Sequence, residues 1–294
     1  MRMTSLAAIQ FACSWSREEN VATAERLVRQ AARDGANVVL IPELFETPYF
    51  CAVQNHDYLE LAQPLERHPT IEHFRRVARE LGVVLPVSVY ERAGTAKFNT
   101  VAVIDADGSV RGHYRKSHIP QSPGYEEKYY FSPGDTGFVP IETAFGKLGV
   151  AICWDQWFPE AARALVLQGA EFLMYPTAIG SEPKYPDLDS MEHWRIVMRG
   201  HAGANMVPVV AANRIGAEAT DGVPMRFYGS SFIADGTGNL VAGADRKSEQ
   251  VLVKAFDLDD CRRYRESWGC FRDRRPDLYG ALATLDGHTG VHRP

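Results

Sequence analysis

The sequence predicts one large α/β domain, and three observations predict it. Short apolar runs rich in β-branched residues recur along the chain, each stopped by Pro, Gly or a charged residue. Stretches with helical periodicity stand between many of them, the alternation that builds sheets containing parallel strands. No repeat, low-complexity segment or linker divides the 294 residues, so a single core is the simplest account.

Taken in order, residues 6–11 read as a first strand. Residues 18–33 read as an amphipathic helix carrying Val21, Ala24, Leu27, Val28 and Ala31 on one face, ended by Asp34-Gly35. Residues 37–41 form a buried strand stopped by Pro42. Glu43 therefore stands at a strand's C-terminal end, where α/β folds keep their ligands; the alternative is a solvated loop glutamate. A helix over 70–81 ends at Gly82, and strands follow over 83–91, 97–105 and 109–116. Asp105-Ala106-Asp107-Gly108 is the hairpin signal between the last two. Lys116 closes the third of these strands. Arg111 and His113 read as a solvated strand edge, and His113 and His118 have no Cys or carboxylate at a ligand spacing, so no metal site is expected. Residues 119–135 form a long loop rich in Pro, Gly and aromatics, a length that often carries function. Strands over 138–143 and 146–152 resume the sheet.

Cys153 then falls between a buried strand and a helix that Pro159 opens, running over 159–167. Such a turn exposes a nucleophile beside free backbone N–H groups; a buried structural cysteine is the alternative. A strand over 171–175 stops at Pro176-Thr177, and a polar loop over 180–187 precedes a helix over 189–205. His193 and His201 on that helix read as packing or surface residues. Strands are expected over 208–212, 227–234, 240–243 and 250–256, then a short helix over 257–264. The irregular tail over 273–294 is expected at a subunit interface.

Composition narrows the function. A formal net charge of -5 offers no electrostatic footprint for nucleic acid. No apolar run approaches the roughly 20 residues that span a membrane, and the N-terminal stretch lacks a cleavage pattern. Cys13, Cys51, Cys153, Cys261 and Cys270 are widely spaced with no Cys-x-x-Cys pair, against a zinc ribbon or disulfide framework and in favour of a reducing cytoplasm.

Glu43, Lys116 and Cys153 each end a predicted strand, and strands of one sheet bring their C-terminal ends to one rim. The set suits acyl transfer: a thiol needs a base, a desolvated carboxylate can serve, and an ammonium favours a thiolate and holds an oxyanion. Pro42-Glu43, Tyr114-Arg115-Lys116 and Cys153-Trp154-Asp155 carry a resemblance to the nitrilase superfamily of carbon–nitrogen hydrolases, extending over residues 6–285. The resemblance implies a four-layer α-β-β-α sandwich, a face-to-face homodimer or higher homo-oligomer, and no metal or organic cofactor. It also implies catalytic roles for Glu43, Lys116 and Cys153, with Glu127 as a further glutamate beside them.

Longer segments sharpen it: His118-Ile119-Pro120, Pro123-Gly124-Tyr125, Glu127-Lys128-Tyr129-Tyr130-Phe131, Thr177-Ala178-Ile179-Gly180-Ser181-Glu182-Pro183 and His201-Ala202-Gly203-Ala204-Asn205. These resemble the branch that hydrolyses the ureido C–N bond of a carbamoylated diamine, a small cationic substrate. Trp154, Tyr130 and Ala178 are then expected against the substrate, and Glu182 or Asp187 against its amine. Relatives that take N-carbamoyl amino acids carry arginines at the positions of Gln156 and Trp157, which argues here against a carboxylate substrate. An amidase for another ureido or amide substrate and an inactive binding protein remain as alternatives.

Overall fold

In β1 (Met3–Gln10), Leu6 and Ala8 join one hydrophobic core while Ala7 and Ile9 join another. β-Strands send successive side chains to opposite faces, so an unbroken apolar run needs cover on both. The computed structural model describes residues 1–288 and supplies that cover. The chain continues through α1 (Arg17–Arg33), β2 (Val38–Leu40), α2 (Pro69–Leu81), β3 (Leu85–Ala93), β4 (Ala96–Ile104) and β5 (Val110–Arg115). A short α3 (Glu127–Tyr130), β6 (Ile141–Thr143), β7 (Gly146–Val150), α4 (Pro159–Leu167), β8 (Phe172–Thr177), α5 (Met191–Asn205) and β9 (Val209–Asn213) follow. The last elements are β10 (Ile215–Thr220), β11 (Val223–Tyr228), β12 (Phe232–Ala234), β13 (Leu240–Gly243), β14 (Gln250–Asp257) and α6 (Leu258–Trp268).

One sheet has the order β14-β1-β2, continued to β3-β4-β5 by the parallel bridge between Val38 and Val84. The other has the order β13-β12-β9-β8-β7-β6, with β7, β8 and β9 parallel. Leu6, Leu40 and Val103 from the first sheet share one core with Val150, Met174 and Val210 from the second. α1 and α2 cover the first sheet's outer face through Leu27, Val28, Phe74 and Val77. α4 and α5 cover the second through Leu165, Val166, Trp194 and Met198. The result is the four-layer α-β-β-α sandwich.

Three sequence expectations change. The 119–135 loop contains α3, whose first and last residues, Glu127 and Tyr130, are both buried. The strand expected over 227–234 is two strands, because Gly229 and Ser230 both take positive φ (53° and 60°) and turn the chain. A hairpin, β10–β11, was not expected. Its turn dipeptide, Asp221-Gly222, with φ of 47° and 83°, was the available signal. Smaller shifts include β8, which runs through Pro176 to Thr177, and α6, which extends to Trp268. Of the expected tail, residues 289–294 lie outside the described residues, and Leu278, Leu282 and Leu285 are exposed.

Candidate active site

β2 and β7, both parallel-paired within their sheets, and β5 deliver Glu43, Cys153 and Lys116 just past their C-terminal ends. Lys116 is held there by its backbone N–H, which donates to Asn99 O at 2.9 Å. Its side chain is fully buried, and Nζ donates to Glu43 Oε1 at 2.9 Å and to Glu127 Oε2 at 2.6 Å. Glu43 Oε1 also accepts from Asn99 Nδ2 at 2.6 Å, and Glu127 Oε1 accepts from Tyr49 OH at 2.6 Å. One acceptor stays open: Glu43 Oε2 is buried without a hydrogen-bond partner among the described residues.

Cys153 opens a 3₁₀ turn, Cys153–Trp157, with φ of 40°, a left-handed conformation unusual for a residue with a Cβ. Its Sγ lies 3.7 Å from Ala178 O. The first ladder bond of the turn is Asp155 N–H to Ile152 O at 3.0 Å. The Trp154 N–H precedes that bond and has no hydrogen-bond acceptor among the described residues, which leaves it available to an oxyanion. Asp155, fully buried, ties this turn to the Lys116 segment. Its Oδ2 accepts from Ile152 N and Tyr114 OH at 2.9 and 2.7 Å, and its Oδ1 accepts from His118 N at 3.0 Å.

The electrostatics decide the resting state of the thiol. Two carboxylates flank one ammonium, so the buried cluster carries a net negative charge beside Cys153. Burial, then Glu43, push the Cys153 thiol well above the usual thiol range, and Lys116 only partly opposes them. Burial pushes Glu127 up to about 6 although Lys116 pulls it down. Burial disfavours the charged Lys116, yet Glu127 and Glu43 outweigh it and hold its ammonium well above the usual range. Lys116 does favour the thiolate, as the sequence implied, but burial and Glu43 outweigh it. The sulfur rests as a thiol, and a proton passed from Sγ to Glu43 leaves the cluster's total charge unchanged.

Glu182 is half-buried, and burial raises its carboxyl pKa. Tyr125 and Tyr228, whose phenols are raised first by burial, both also feel Glu182 and Cys153. These two rings thus lie within electrostatic reach of the thiol and of Glu182 together. Asp187 is exposed and lines a cleft of about 500 Å³ with Gly180, Ser181, Asp189, Tyr228 and Arg246. Trp154 is 40% exposed on the turn beside Cys153. Tyr130 departs from expectation. It is buried, its hydroxyl donates to Val53 O at 2.7 Å and accepts from Asn55 N at 2.9 Å, and its ring packs edge-on to Phe50. That hydroxyl fixes the 53–55 loop. Gln156 is buried, and its Oε1 accepts from Trp194 Nε1 of α5 at 2.7 Å.

Sequence reasoning missed Asn99, Tyr49, Asp155 and the pair Asn213-Arg214. Asn213 closes β9 and pins the 178–180 loop, accepting from Ile179 N at 3.0 Å and donating to Ile179 O at 2.9 Å. The available signal was a polar pair placed directly after an apolar strand. Among the described residues, no group of three or more His, Cys, Asp or Glu is arranged to hold a metal ion, and no helix is long and apolar enough to cross a membrane.

Glu43 and Lys116 follow strands of one sheet and Cys153 a strand of the other, so the single-sheet rim expected from the sequence is corrected to a meeting of strand ends from both sheets. A buried Cys, Glu and Lys gathered there in an α-β-β-α sandwich defines a cysteine-dependent amidohydrolase. The chain belongs to the carbon–nitrogen hydrolase family, whose model matches residues 5–266. It is 61% identical to an N-carbamoylputrescine amidase of Arabidopsis thaliana, over 98% of this chain and 97% of the relative. It is 50% identical to a citrullinase of Francisella tularensis, over 96% of this chain and 99% of the relative. The crystal structure of a carbon–nitrogen hydrolase from Helicobacter pylori superposes with a TM-score of 0.90 at 38% identity, covering 96% of this chain and 99% of the other.

Proposed function

We propose that the protein hydrolyses the ureido C–N bond of N-carbamoylputrescine, giving putrescine, carbon dioxide and ammonia. In this reading Glu43 Oε2 accepts the thiol proton as Sγ attacks the ureido carbon. Lys116 Nζ and the Trp154 N–H hold the oxyanion. Collapse breaks one C–N bond, and Glu43 passes its proton to the departing nitrogen. Water, deprotonated by Glu43, then attacks the thiocarbamate carbon; the C–S bond breaks, Glu43 returns the proton to Cys153 Sγ, and the released carbamate splits into carbon dioxide and the remaining amine. Glu127 holds Lys116 on its other side and completes the catalytic set. Ala178 O and the Trp154 ring border the ureido end.

The observation that carries the substrate choice is Glu182, a half-buried carboxylate sharing Tyr125 and Tyr228 with Cys153. A carbamoylated diamine is neutral at its ureido end and cationic at the other, so it calls for a carboxylate remote from the nucleophile. The full-length likeness to the Arabidopsis amidase supports the same choice. A second reading, citrulline, is favoured by the Francisella relative. Citrulline presents the same ureidoalkyl amine with an added carboxylate, which the cleft's Arg226, Arg246 and Lys247 would meet. Ammonia release from carbamoylputrescine, citrulline, carbamoyl-β-alanine and N-butylurea separates these. Carbamoylputrescine is expected to have the highest kcat/KM; a higher value for citrulline replaces the first reading with the second.

The remaining parts of the reading are coarser. The whole chain acts as one hydrolase domain in the cytoplasm, in polyamine biosynthesis, with five free thiols suited to a reducing compartment. It assembles at least as a homodimer across the outer face of α4 and α5. There Leu167 and Ile196 are exposed, and a groove of about 950 Å³ runs between Val197, Ala204 and Leu282.

A further inference from the structure

We infer that Arg214 is a positioning residue that aims the Glu43 carboxylate, through a closed ring of buried polar bonds. The inference rests on the reading of Glu43 as the base. Arg214 directly follows β9 and is fully buried. Its Nη2 donates to Glu43 O at 2.8 Å and Leu44 O at 2.9 Å, and its Nη1 to Thr47 O at 3.1 Å. Nη1 also donates to Glu218 Oε1 at 2.9 Å. Glu218 Oε2 in turn accepts from the Tyr49 N–H at 2.6 Å, and Tyr49 OH donates to Glu127. Glu127 binds Lys116, and Lys116 binds Glu43, so the ring returns to its start.

The ring is needed because of the backbone that follows the base. Leu44 takes φ of 46°, a conformation a residue with a side chain holds only when its surroundings impose it. Three nearby carbonyls accept from this guanidinium, those of buried Glu43 and Leu44 and that of partly buried Thr47. One planar guanidinium can serve all three with its fork, whereas a lysine's compact ammonium on a flexible stem cannot match that geometry. The Leu44 N–H is fixed separately by Ser88 Oγ at 3.0 Å. With the 43–44 backbone set and Oε1 held by Lys116 and Asn99, the open Oε2 has one direction left. Glu218 links this to the other half of the cluster, so that Glu43 and Glu127 are placed by one network.

Misplacing a catalytic group by about 1 Å can cost on the order of a hundredfold in rate. The test compares Arg214→Lys with the milder Glu218→Gln, which leaves the guanidinium in place but opposes one amide N–H to the Tyr49 N–H or to Arg214. Folded protein is selected by circular dichroism and thermal melting, and active sites are counted by iodoacetamide labelling of Cys153. Per labelled site, Arg214→Lys is expected to lower kcat roughly ten- to a hundredfold with KM within about twofold, and Glu218→Gln to lower it less. Both should slow Cys153 alkylation at fixed pH, because the thiol then loses its aimed base. A purely structural role would lower the melting temperature and the labelled fraction while leaving kcat per site and alkylation rate unchanged; that result overturns the inference. If Arg214→Lys does not fold, unchanged kcat and alkylation in Glu218→Gln overturn it instead. Glu43→Gln is the control. If it is inactive while the ring variants are normal, only this inference fails; if it stays active, the reading of Glu43 as base fails and takes the inference with it.

Discussion

The buried floor of the site and the 181–189 loop at its mouth are built differently. Glu43, Lys116, Glu127, Asp155 and Arg214 are each no more than 1% exposed, and each makes several bonds to distant parts of the chain. In the loop, residues 183–189 are all exposed. Its backbone makes local turns, Tyr185 N to Glu182 O at 2.8 Å and Leu188 N to Tyr185 O at 2.9 Å. Ser181 anchors its start, bonding to Arg226 and accepting from Tyr125 OH, and past that point the loop is tied by an exposed ion pair, Asp189–Arg246 at 2.6 Å, of a kind that contributes at most about 1 kcal/mol. Breaking a buried pair by removing one partner instead costs roughly 3–5 kcal/mol. The floor therefore has little freedom to vary, while the mouth can change at small cost in stability. Relatives named for different substrates at 61% and 50% identity are what such a division allows.

The sharpest way to break this comparison is at the floor. In the proposed mechanism Cys153→Ala removes the nucleophile of a unit whose members act together, so turnover should fall about 10⁴-fold or more, with melting and assembly unchanged. Measurable turnover above a small fraction of the parent's would show that the chemistry does not pass through a covalent cysteine.

At the mouth the effect should be smaller and selective. In the proposed reading Glu182→Gln removes a charge-assisted hydrogen bond to the substrate amine worth roughly 1.5–3 kcal/mol, which corresponds to about a ten- to hundredfold loss in kcat/KM for carbamoylputrescine. N-butylurea, which has no amine, should react equally poorly with both enzymes. Equal losses on the two substrates would show that Glu182 shapes the site without reading charge.

The smallest effect is a pH dependence of stability. Folded Glu127 holds its proton up to about 6, against an ordinary value of 4.5, because burial outweighs Lys116. The folded state thus binds more protons than the unfolded chain between those values, and stability contributed by this group is lost as pH rises through that window. Glu127→Gln, neutral throughout, should show a flatter urea midpoint between pH 4.5 and 6 than the parent. Parallel profiles would mean that the proton is not held by Glu127.

The α/β class and many of its elements were legible because two periodicities carry them, whereas the four layers were implied by the family resemblance alone. Residues 37–41 alternate between two buried faces, and 18–33 repeat a helical stripe, so both elements appear where the pattern puts them. The β10–β11 hairpin was not legible by pattern: Ile215-Gly216-Ala217-Glu218-Ala219 has weak strand propensity and gains its conformation by pairing with Met225 and Phe227. The three strand-end residues were legible as well: Glu43 and Cys153 each follow an apolar run, and Lys116 closes the strand that the Asp105–Gly108 hairpin signal begins.

What the sequence by itself determined is which residue types stand at which strand ends, because strand periodicity and turn chemistry are local. What only the tertiary structure decided is their protonation and aim. That the thiol rests protonated, that Glu43 keeps Oε2 open, and that Tyr130 OH is spent on the 53–55 loop and Gln156 Oε1 on Trp194 all depend on desolvation and on partners distant in the chain. Desolvation and through-space charge have no sequence period. They exist only once the layers close.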